Sequence, residues 1–444
     1  MTLPTKESKL TTGAIVATAL MLFSMFFGAG NLIFPPVLGT SSGENFTPAI
    51  IGFLLGGVAL PAVTIIAMTM SGSDIRDLGI RAGNWFNIAF AVIVYLSIGA
   101  FYAIPRTSAV SYSMIVQPVL EQDSTLASVG FNALFFAVAL LLALNPTGIV
   151  DKLGKFLTPA LLVLLAVLVV LAIINLRSDV PPAAEKYATA PLTTGLLEGY
   201  MTMDSLAALA FGILVISSLK YKSGHEGKAL VKPAIIASLI ASALLAIIYL
   251  GLGYVGRIMP DGQSYQDGAS LLSGAARLTM GTPGQVVFGL IVLLACMTTA
   301  VGLLAATSEF FNRLLPGISY KAWLVIFSLI SFFVGSMGLS KVLSIAAPLI
   351  TFIYPVAITL VALTILELSV GKLKLLWGFR LPVWAVTIWS ALTSDFARSR
   401  HHGGRKPRQL GPASRRQPRL ATPRLHVLRN RRNNRLHTKK LIPT

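Results

Sequence analysis

Eleven hydrophobic stretches, most of them near or above the length of a membrane-spanning helix, dominate this 444-residue chain. A helix needs about 20 mostly apolar residues to cross the hydrocarbon core of a bilayer. The stretches occupy residues 13–36, 48–70, 84–105, 128–147, 156–175, 196–218, 230–256, 285–308, 321–338, 343–368 and 381–393. Only 12% of the residues are charged, against about 25% in soluble domains. The sequence therefore predicts an all-α polytopic membrane protein.

The loops between the stretches carry an uneven charge, which predicts how the chain is oriented. With residues 1–12 in the cytoplasm, 15 of the Lys and Arg residues before residue 395 fall on the cytoplasmic side and six fall outside. Cytoplasmic loops of membrane proteins carry the excess of these residues. The first stretch is too long for the apolar region of a cleavable signal peptide. We therefore expect a multi-pass protein of the plasma membrane with a cytoplasmic N-terminus.

Residues 395–444 differ from the rest of the chain in composition. They hold 15 of the 36 Lys and Arg residues and one acidic residue, which places +14 of the net charge of +19 in this segment. Such a segment is predicted to be disordered. It is either a basic arm that binds anionic lipid or nucleic acid, or the product of a shifted reading frame. The truncated stretch at 381–393 favours the second interpretation, so we expect no nucleic-acid partner.

The first stretch contains residues that break a membrane helix. Gly28, Gly30 and Asn31 lie at its middle, and two prolines follow. Glycine costs a helix interior about 1 kcal/mol relative to alanine, and proline about 3 kcal/mol. Backbone groups in hydrocarbon need partners, so the break indicates either a binding site or close helix packing through small residues. The asparagine and the prolines favour a site.

A broken helix offers two kinds of binding group. The half-helix that begins near Gly30 would present N–H groups and a positive dipole end to a carboxylate. The half-helix that ends near Phe27 would present free carbonyls to a small cation. Hard cations such as Na⁺ prefer oxygen ligands.

Three other stretches carry polar residues at membrane depth. Asp204 follows Thr202 in the sixth stretch, and a carboxylate there would ligate a cation, carry a proton or pair with a basic residue. Thr298 and Thr299 lie in the eighth stretch. Their hydroxyls would either join a cation site or bond back to their own helix, which is common. Arg106 ends the third stretch, where we expect it to snorkel to the outer interface rather than to act as a gate.

The first and sixth stretches hold matching positions in two sets of five. The two sets begin on opposite sides of the membrane, so they are inverted relative to each other. Interrupted segments at corresponding positions of two halves are the best sequence indication of a transporter binding site. The sequence therefore predicts a first repeat at residues 13–175 and a second at 196–368, with helices 1 and 6 broken.

Three motifs resemble those of the bacterial branched-chain amino acid:cation symporter family. They are Phe-Ser-Met-Phe-Phe-Gly-Ala-Gly-Asn-Leu-Ile-Phe-Pro-Pro at 23–36, Ala-Ile-Pro-Arg-Thr at 103–107 and Leu-Glu-Gly-Tyr-Met-Thr-Met-Asp-Ser-Leu-Ala-Ala-Leu-Ala-Phe at 197–211. The resemblance implies the leucine-transporter-type five-plus-five inverted repeat of the amino acid–polyamine–cation superfamily. It also implies Na⁺-driven import of leucine, isoleucine and valine. The family has twelve spanning segments, whereas here the eleventh is incomplete and no twelfth is seen.

The resemblance implies roles for particular residues as well. Those that match the substrate site are Gly28, Ala29 and Gly30, near the carboxylate, and Phe101 and Phe211, in the apolar pocket. Those that match the recurrent sodium site are Ser24 and Phe27, through their carbonyls, and Ala295, Thr298 and Thr299. A second cation or coupling site would use Phe26, Asn31, Thr202 and Asp204.

The alternatives differ in what the chain does with these features. A proton-coupled carrier would use Asp204, and a carrier for another neutral solute would keep the same fold. A membrane enzyme or sensor is disfavoured, because the first 394 residues show no His or Cys cluster, nucleophile elbow or phosphate loop. A scaffold protein would depend wholly on the basic segment 395–444. We expect no cofactor, with Na⁺ as the coupling ion and with an amino acid and the bilayer as partners.

Overall fold

Helices make up nearly all of the regular structure of this protein. The computed structural model describes residues 12–71, 75–117, 125–144, 146–223, 227–370 and 376–403, and these ranges contain no β-strand. The α-helices are α1 (Thr12–Phe26), α2 (Ala29–Ser42), α3 (Phe46–Leu54), α4 (Leu60–Ser71), α5 (Ile75–Gly79), α6 (Asn84–Leu96), α7 (Ala103–Ile115), α8 (Thr125–Ala143), α9 (Pro146–Asn175), α10 (Glu185–Thr189), α11 (Pro191–Met201), α12 (Asp204–Ser223), α13 (Val231–Ile258), α14 (Gly268–Leu314), α15 (Tyr320–Gly335), α16 (Leu339–Val370) and α17 (Leu376–Gly403). The predicted all-α fold is confirmed.

Seven helical stretches within the described ranges are long and apolar enough to cross a membrane. They are Ala29–Met70, Asn84–Ile115, Thr125–Ala143, Thr158–Asn175, Val231–Ile258, Gly268–Leu314 and Ala347–Glu367. An eighth arises if Tyr320–Gly335 and Leu339–Ile345, bent by 112°, form one span. The predicted stretches 13–36 and 196–218 are not continuous spans, because each is interrupted in the structure.

A glycine also interrupts α14, ahead of the predicted eighth stretch. Gly281 has a φ of +68°, a left-handed conformation that glycine adopts without steric cost. Pro283 follows, in the first turn of the renewed helix, where its missing N–H removes no hydrogen bond. The residues before Gly281 form a separate short helix, capped by the carboxylate of Asp267, which accepts from the N–H of Ser270 at 2.8 Å.

Small residues bring α3 and α11 into close contact. A Cβ atom at Gly52 would lie 1.9 Å from the carbonyl oxygen of Leu192, and one at Gly195 would lie 1.9 Å from that of Ala49. The glycines four residues further along each helix make similar approaches. Glycine pairs at this spacing let membrane helices approach to backbone contact. This contact holds the first half of the sixth predicted stretch against the second predicted stretch.

The eleventh predicted stretch forms part of α17, which packs on the turn before α6. Arg380 Nε donates to the carbonyl of Arg81 at 3.0 Å, and Trp384 Nε1 donates to that of Ala82 at 3.1 Å. Arg81 also forms an ion pair with Glu367 of α16. The stretch is therefore anchored to the turn that precedes α6.

The helix α17 continues past its apolar part to residue 403. It includes the first nine residues of the segment 395–444, where we predicted disorder, so the structure differs there from the expectation. The helix of the apolar stretch continues beyond the change in composition. The remaining tail, 404–444, and nearly all of the predicted cytoplasmic N-terminus lie outside the described residues.

Candidate functional site

The first predicted break separates α1 from α2. The N–H of Gly28 donates to Oδ1 of Asn31 at 3.1 Å, and the N–H of Asn31 donates to the Gly28 carbonyl at 3.2 Å. In a continuous α-helix these two N–H groups would instead donate to carbonyls four residues earlier. Those carbonyls belong to Ser24 and Phe27. The break therefore frees, from their helical donors, the two carbonyls that the sequence analysis assigned to a cation.

The second break separates α11 from α12 and contains neither glycine nor proline. Met203 has a φ of +67°, in the left-handed region that other residues seldom enter. The N–H groups of Thr202 and Met203 donate to carbonyls three residues earlier, at 3.4 and 3.0 Å. The helix α11 thus ends in a tightened turn, and α12 begins at Asp204.

Three buried side chains join the two breaks. Nδ2 of Asn31 donates to Oδ2 of Asp204 at 3.0 Å, and the hydroxyl of Tyr249 on α13 donates to the same oxygen at 2.6 Å. Nδ2 of Asn31 also donates to the Tyr249 hydroxyl. All three residues are at most 3% exposed. Asn31 and Asp204 were predicted from the sequence, but Tyr249 was not, because a tyrosine in a spanning stretch that also contains serines and a second tyrosine gives no distinct signal.

Arg106 lies buried between the breaks and not at the membrane interface. Its side chain is 4% exposed. Nη1 donates to the Met201 carbonyl and to the Tyr102 hydroxyl, both at 2.8 Å, and Nη2 donates to the Thr202 carbonyl at 3.0 Å. The prediction that this arginine snorkels outward is wrong, because α7 continues for nine residues beyond it and keeps the guanidinium inside the protein.

The two buried charges match the helix ends beside them. Arg106 donates to the last carbonyls of α11, and Asp204 is the first residue of α12. A helix carries partial negative charge at its C-terminal end and partial positive charge at its N-terminal end. Each side chain therefore faces a helix end of opposite sign. This arrangement offsets part of the cost of placing charges inside a membrane protein.

The helix α14 brings Thr299, one of the two predicted threonines, to the first break. The hydroxyls of Thr298 and Thr299 donate to the Ala295 carbonyl at 2.8 and 3.2 Å. A Cβ atom at Gly28 would lie 3.2 Å from Oγ1 of Thr299, so the glycine permits this close approach. A hydroxyl that donates still has lone pairs for a cation. Back-bonding within the helix and cation binding are thus compatible here.

A small cavity lies where the two breaks meet. The space that the centre of a water molecule can reach within it is about 20 Å³, roughly the room for one water. The lining residues are Met25, Phe26, Gly28, Ala29, Asn31, Ile98, Ala103, Arg106, Thr107, Thr202, Met203, Asp204, Ala207, Phe211, Thr299 and Leu303. Eight of these sixteen residues were predicted from the sequence as substrate, cation or coupling residues.

The other six sequence-predicted residues do not line the cavity. Gly30 lies beside the cavity, where a Cβ atom would come within 2.6 Å of Nη2 of Arg106. Ser24 on α1, Phe27 in the break, and Ala295 and Thr298 on α14 do not line the cavity but lie in the segments that do. Phe101 is not brought to the cavity. It ends the π-helical turn Ser97–Phe101 and is 39% exposed.

The membrane-spanning helices, with two of them broken at a shared cavity, define a protein of the five-plus-five inverted-repeat fold. Solved structures agree on this fold. The nucleobase-cation-symport-1 family transporter Mhp1, in a closed conformation with bromovinylhydantoin bound, superposes with a TM-score of 0.55 over 90% of this chain and 96% of that one, at 13% identity. The inward-facing conformation of Mhp1 gives a TM-score of 0.53.

The chain belongs to the family described as branched-chain amino acid transport protein, whose model matches residues 11–402. The branched-chain amino acid permease BrnQ of Corynebacterium glutamicum is 52% identical over 381 residues, covering 86% of this chain and 87% of that protein. BrnQ of Bacillus subtilis is 38% identical, covering 87% and 89%. The branched-chain amino acid transport system 2 carrier protein of Pseudomonas aeruginosa is also 38% identical, covering 80% of each.

Proposed function

We propose that this chain is a sodium-coupled symporter that imports leucine, isoleucine and valine across the bacterial plasma membrane, with its N-terminus in the cytoplasm. Membership of a branched-chain amino acid transport family supports the substrate class. The observation that carries the proposal is the hydrogen bond between Asn31 and Asp204, which joins the broken helices at one cavity. A site made from two breaks can open and close as its half-helices move.

The amino acid's carboxylate is proposed to bind at the start of α2. The N–H groups of Ala29 and Gly30 open this helix, where a carboxylate gains from both hydrogen bonds and the helix dipole. Ala29 lines the cavity, and Gly30 lies beside it, against the guanidinium of Arg106. The negative charge of Asp204, across the cavity, would attract the ammonium group of the same substrate.

The sodium ion is proposed to bind between α1 and α14. The carbonyls of Ser24 and Phe27 lack their helical donors at the break. On the facing helix, the Ala295 carbonyl and the hydroxyls of Thr298 and Thr299 form a cluster of oxygens. Five neutral oxygens suit a hard monovalent cation. Binding there would hold α1 against α14 and so favour the conformation that receives the substrate.

The apolar side chain of the substrate is proposed to occupy the part of the cavity formed by Phe26, Phe211, Ile98 and Leu303. The rings of Phe26 and Phe211 lie 6.0 Å apart. About 20 Å³ does not hold a leucine side chain, so the lining must separate as the substrate enters. Discrimination among leucine, isoleucine and valine is expected to be modest, because one methylene in a pocket is worth about 1–3 kcal/mol.

Proton coupling through Asp204 is the second candidate. The observation in its favour is the burial of this carboxylate in the cavity, where only 3% of the residue is exposed. In that mechanism protonation of Asp204 would replace the sodium ion. The two candidates differ in whether uptake requires Na⁺ or a pH gradient.

Competition for uptake into proteoliposomes tests the proposed substrate class. Labelled leucine is supplied in the presence of Na⁺ with a hundredfold excess of one unlabelled compound. We expect isoleucine and valine to suppress uptake, and glutamate, lysine and uracil to leave it unchanged. Suppression by uracil alone, or no leucine uptake in either Na⁺ or choline buffer, would exclude a branched-chain amino acid carrier.

A further inference from the structure

We infer that Arg106 binds the substrate directly, as the residue that selects for a carboxylate. This inference rests on the proposed function, since it names a side chain that would recognise the amino acid. Beyond the start of α2, the side chain of Arg106 brings a full positive charge to the lining of the same cavity. A buried charge in a membrane protein is expensive and is expected to have a partner or a task.

The first observation is an unused donor. An arginine has five N–H groups and no acceptor. Nη1 and Nη2 of Arg106 donate three hydrogen bonds, to the carbonyls of Met201 and Thr202 and to the hydroxyl of Tyr102. Nε is buried and has no hydrogen-bond partner. The guanidinium thus keeps a donor on its Nε edge, and that edge is able to pair with the two oxygens of a carboxylate.

The second observation is the position of the guanidinium beside the start of α2. A Cβ atom at Gly30 would lie 2.6 Å from Nη2 of Arg106, and 2.8 Å from its Cζ and Nη1. Glycine is therefore required here because arginine occupies the space. A carboxylate that accepts from the first N–H groups of α2 would lie next to this positive charge.

The third observation is how firmly the guanidinium is held. Its Cζ lies 4.6 Å from the ring centroid of Tyr102 and 5.9 Å from that of Phe34. Together with the three hydrogen bonds, these contacts fix the plane of the group. A fixed, planar guanidinium loses little conformational entropy when a ligand binds.

A purely structural role accounts for only part of this geometry. Capping the carbonyl end of α11 explains the bonds to Met201 and Thr202. It explains neither the unpartnered Nε nor the placement of the charge against Gly30. The two roles also differ in their consequences, because a structural arginine would support every ligand of the cavity equally.

The test compares two ligands that differ only in the carboxylate. Binding of L-leucine and of L-leucinol, in which a CH₂OH group replaces the carboxylate, is measured on the purified full chain in the presence of Na⁺. The variants are Arg106→Gln and Arg106→Lys. Arg257→Gln serves as the matched control, because Arg257 also stacks on a phenylalanine ring but does not line the cavity.

We expect Arg106→Gln to lower leucine affinity by at least about tenfold, because a hydrogen bond to a charged group contributes free energy in this range. The same variant should change leucinol affinity by less than about twofold. Arg106→Lys should fall between wild type and Arg106→Gln for leucine, because a lysine keeps the charge but not the bidentate edge. The control should bind both ligands as wild type does. An equal loss for leucine and leucinol, or no loss for either, would overturn the inference.

Gly30→Ala keeps the test informative if the arginine variants do not fold. The added methyl group would displace the guanidinium from the start of α2 without removing its positive charge from the protein. The same selective loss of leucine over leucinol is expected, and an equal loss of both would contradict a role in carboxylate recognition. If wild type itself binds no leucine, it is the proposed function that fails, and the two failures are thus distinguished.

Discussion

Asn31, in the first broken helix, donates a hydrogen bond of 3.0 Å to Asp204, in the second. The two residues are 173 positions apart in the sequence. Each follows the point where its segment is interrupted, so the bond connects two sets of opened backbone groups. Because the amide and the carboxylate are both buried, water does not replace this hydrogen bond when it breaks, and only the contacts of each group with Tyr249 remain. The contact therefore couples the positions of the two half-helices.

Replacing Thr298 and Thr299 together by alanine tests the cation site. We expect the Na⁺ concentration for half-maximal leucine uptake to rise by at least about tenfold, because a lost oxygen ligand is comparable to a lost hydrogen bond to a charged group. The measurement is uptake as a function of Na⁺ concentration. Thr64→Ala is the control, since Thr64 is also buried and, like the two threonines, bonds back to its own helix, to Leu60 at 2.8 Å. Unchanged sodium activation in the double variant would refute the assignment.

Tyr249→Phe tests the buried triad. The substitution removes the hydroxyl that donates to Asp204 at 2.6 Å, and a hydrogen bond to a charged group contributes about 1.5–3 kcal/mol. We expect the KM for leucine to rise at least about tenfold, with protein yield maintained. Tyr254→Phe is the control and should behave as wild type, because Tyr254 lies on the same helix but is 39% exposed. Equal behaviour of the two variants would show that the triad has no part in binding.

The left-handed backbone at Met203 gives a test of the second break that uses two isomeric side chains. Isoleucine and leucine have the same volume, but β-branching makes a positive φ far less favourable. Met203→Ile should therefore lower the melting temperature of the purified protein more than Met203→Leu does, by the equivalent of about 1 kcal/mol or more. If both variants melt alike, the chain does not hold φ at +67° at this position.

The packing of α3 on α11 predicts a change in stability at Gly195. A methyl group there would lie 1.9 Å from the carbonyl oxygen of Ala49, and overpacking of this kind costs about 1–3 kcal/mol. Gly195→Ala should lower both membrane yield and melting temperature. Gly130→Ala is the matched control, because nothing lies within 4 Å of the added atom. Equal stability of the two variants would mean that these helices do not touch.

The sequence predicted the first break well because its cause is local. Glycines and an asparagine at 28–31 disfavour a helix by their own chemistry. The second break has no such residues, and Met203 takes a strained conformation that only the surrounding structure imposes. The one sequence signal of the second break was the carboxylate of Asp204 at membrane depth. The all-α membrane class followed from the hydrophobic stretches, whereas the five-plus-five inverted repeat followed from their pairing together with the family resemblance.

The roles of Arg106 and Tyr249 could not be predicted because they depend on tertiary contacts. Hydropathy placed Arg106 at the end of the third stretch, yet α7 continues beyond it through polar residues that the protein interior accommodates. Tyr249 reaches Asp204 only because α13 packs against both breaks. Phe101 was expected in the apolar pocket but does not line the cavity, although Ala103, two residues later, does. Its side chain faces outward at 39% exposure.

Leucine accumulation driven by a sodium gradient is the most direct test of the central claim. The purified full chain is placed in proteoliposomes with equal pH on both sides and the membrane potential clamped at zero. With Na⁺ outside and choline inside, labelled leucine should accumulate above its external concentration and return to equilibrium when the Na⁺ gradient is dissipated. Accumulation that persists with choline on both sides, or that appears only with an imposed pH gradient, would contradict sodium coupling through this site.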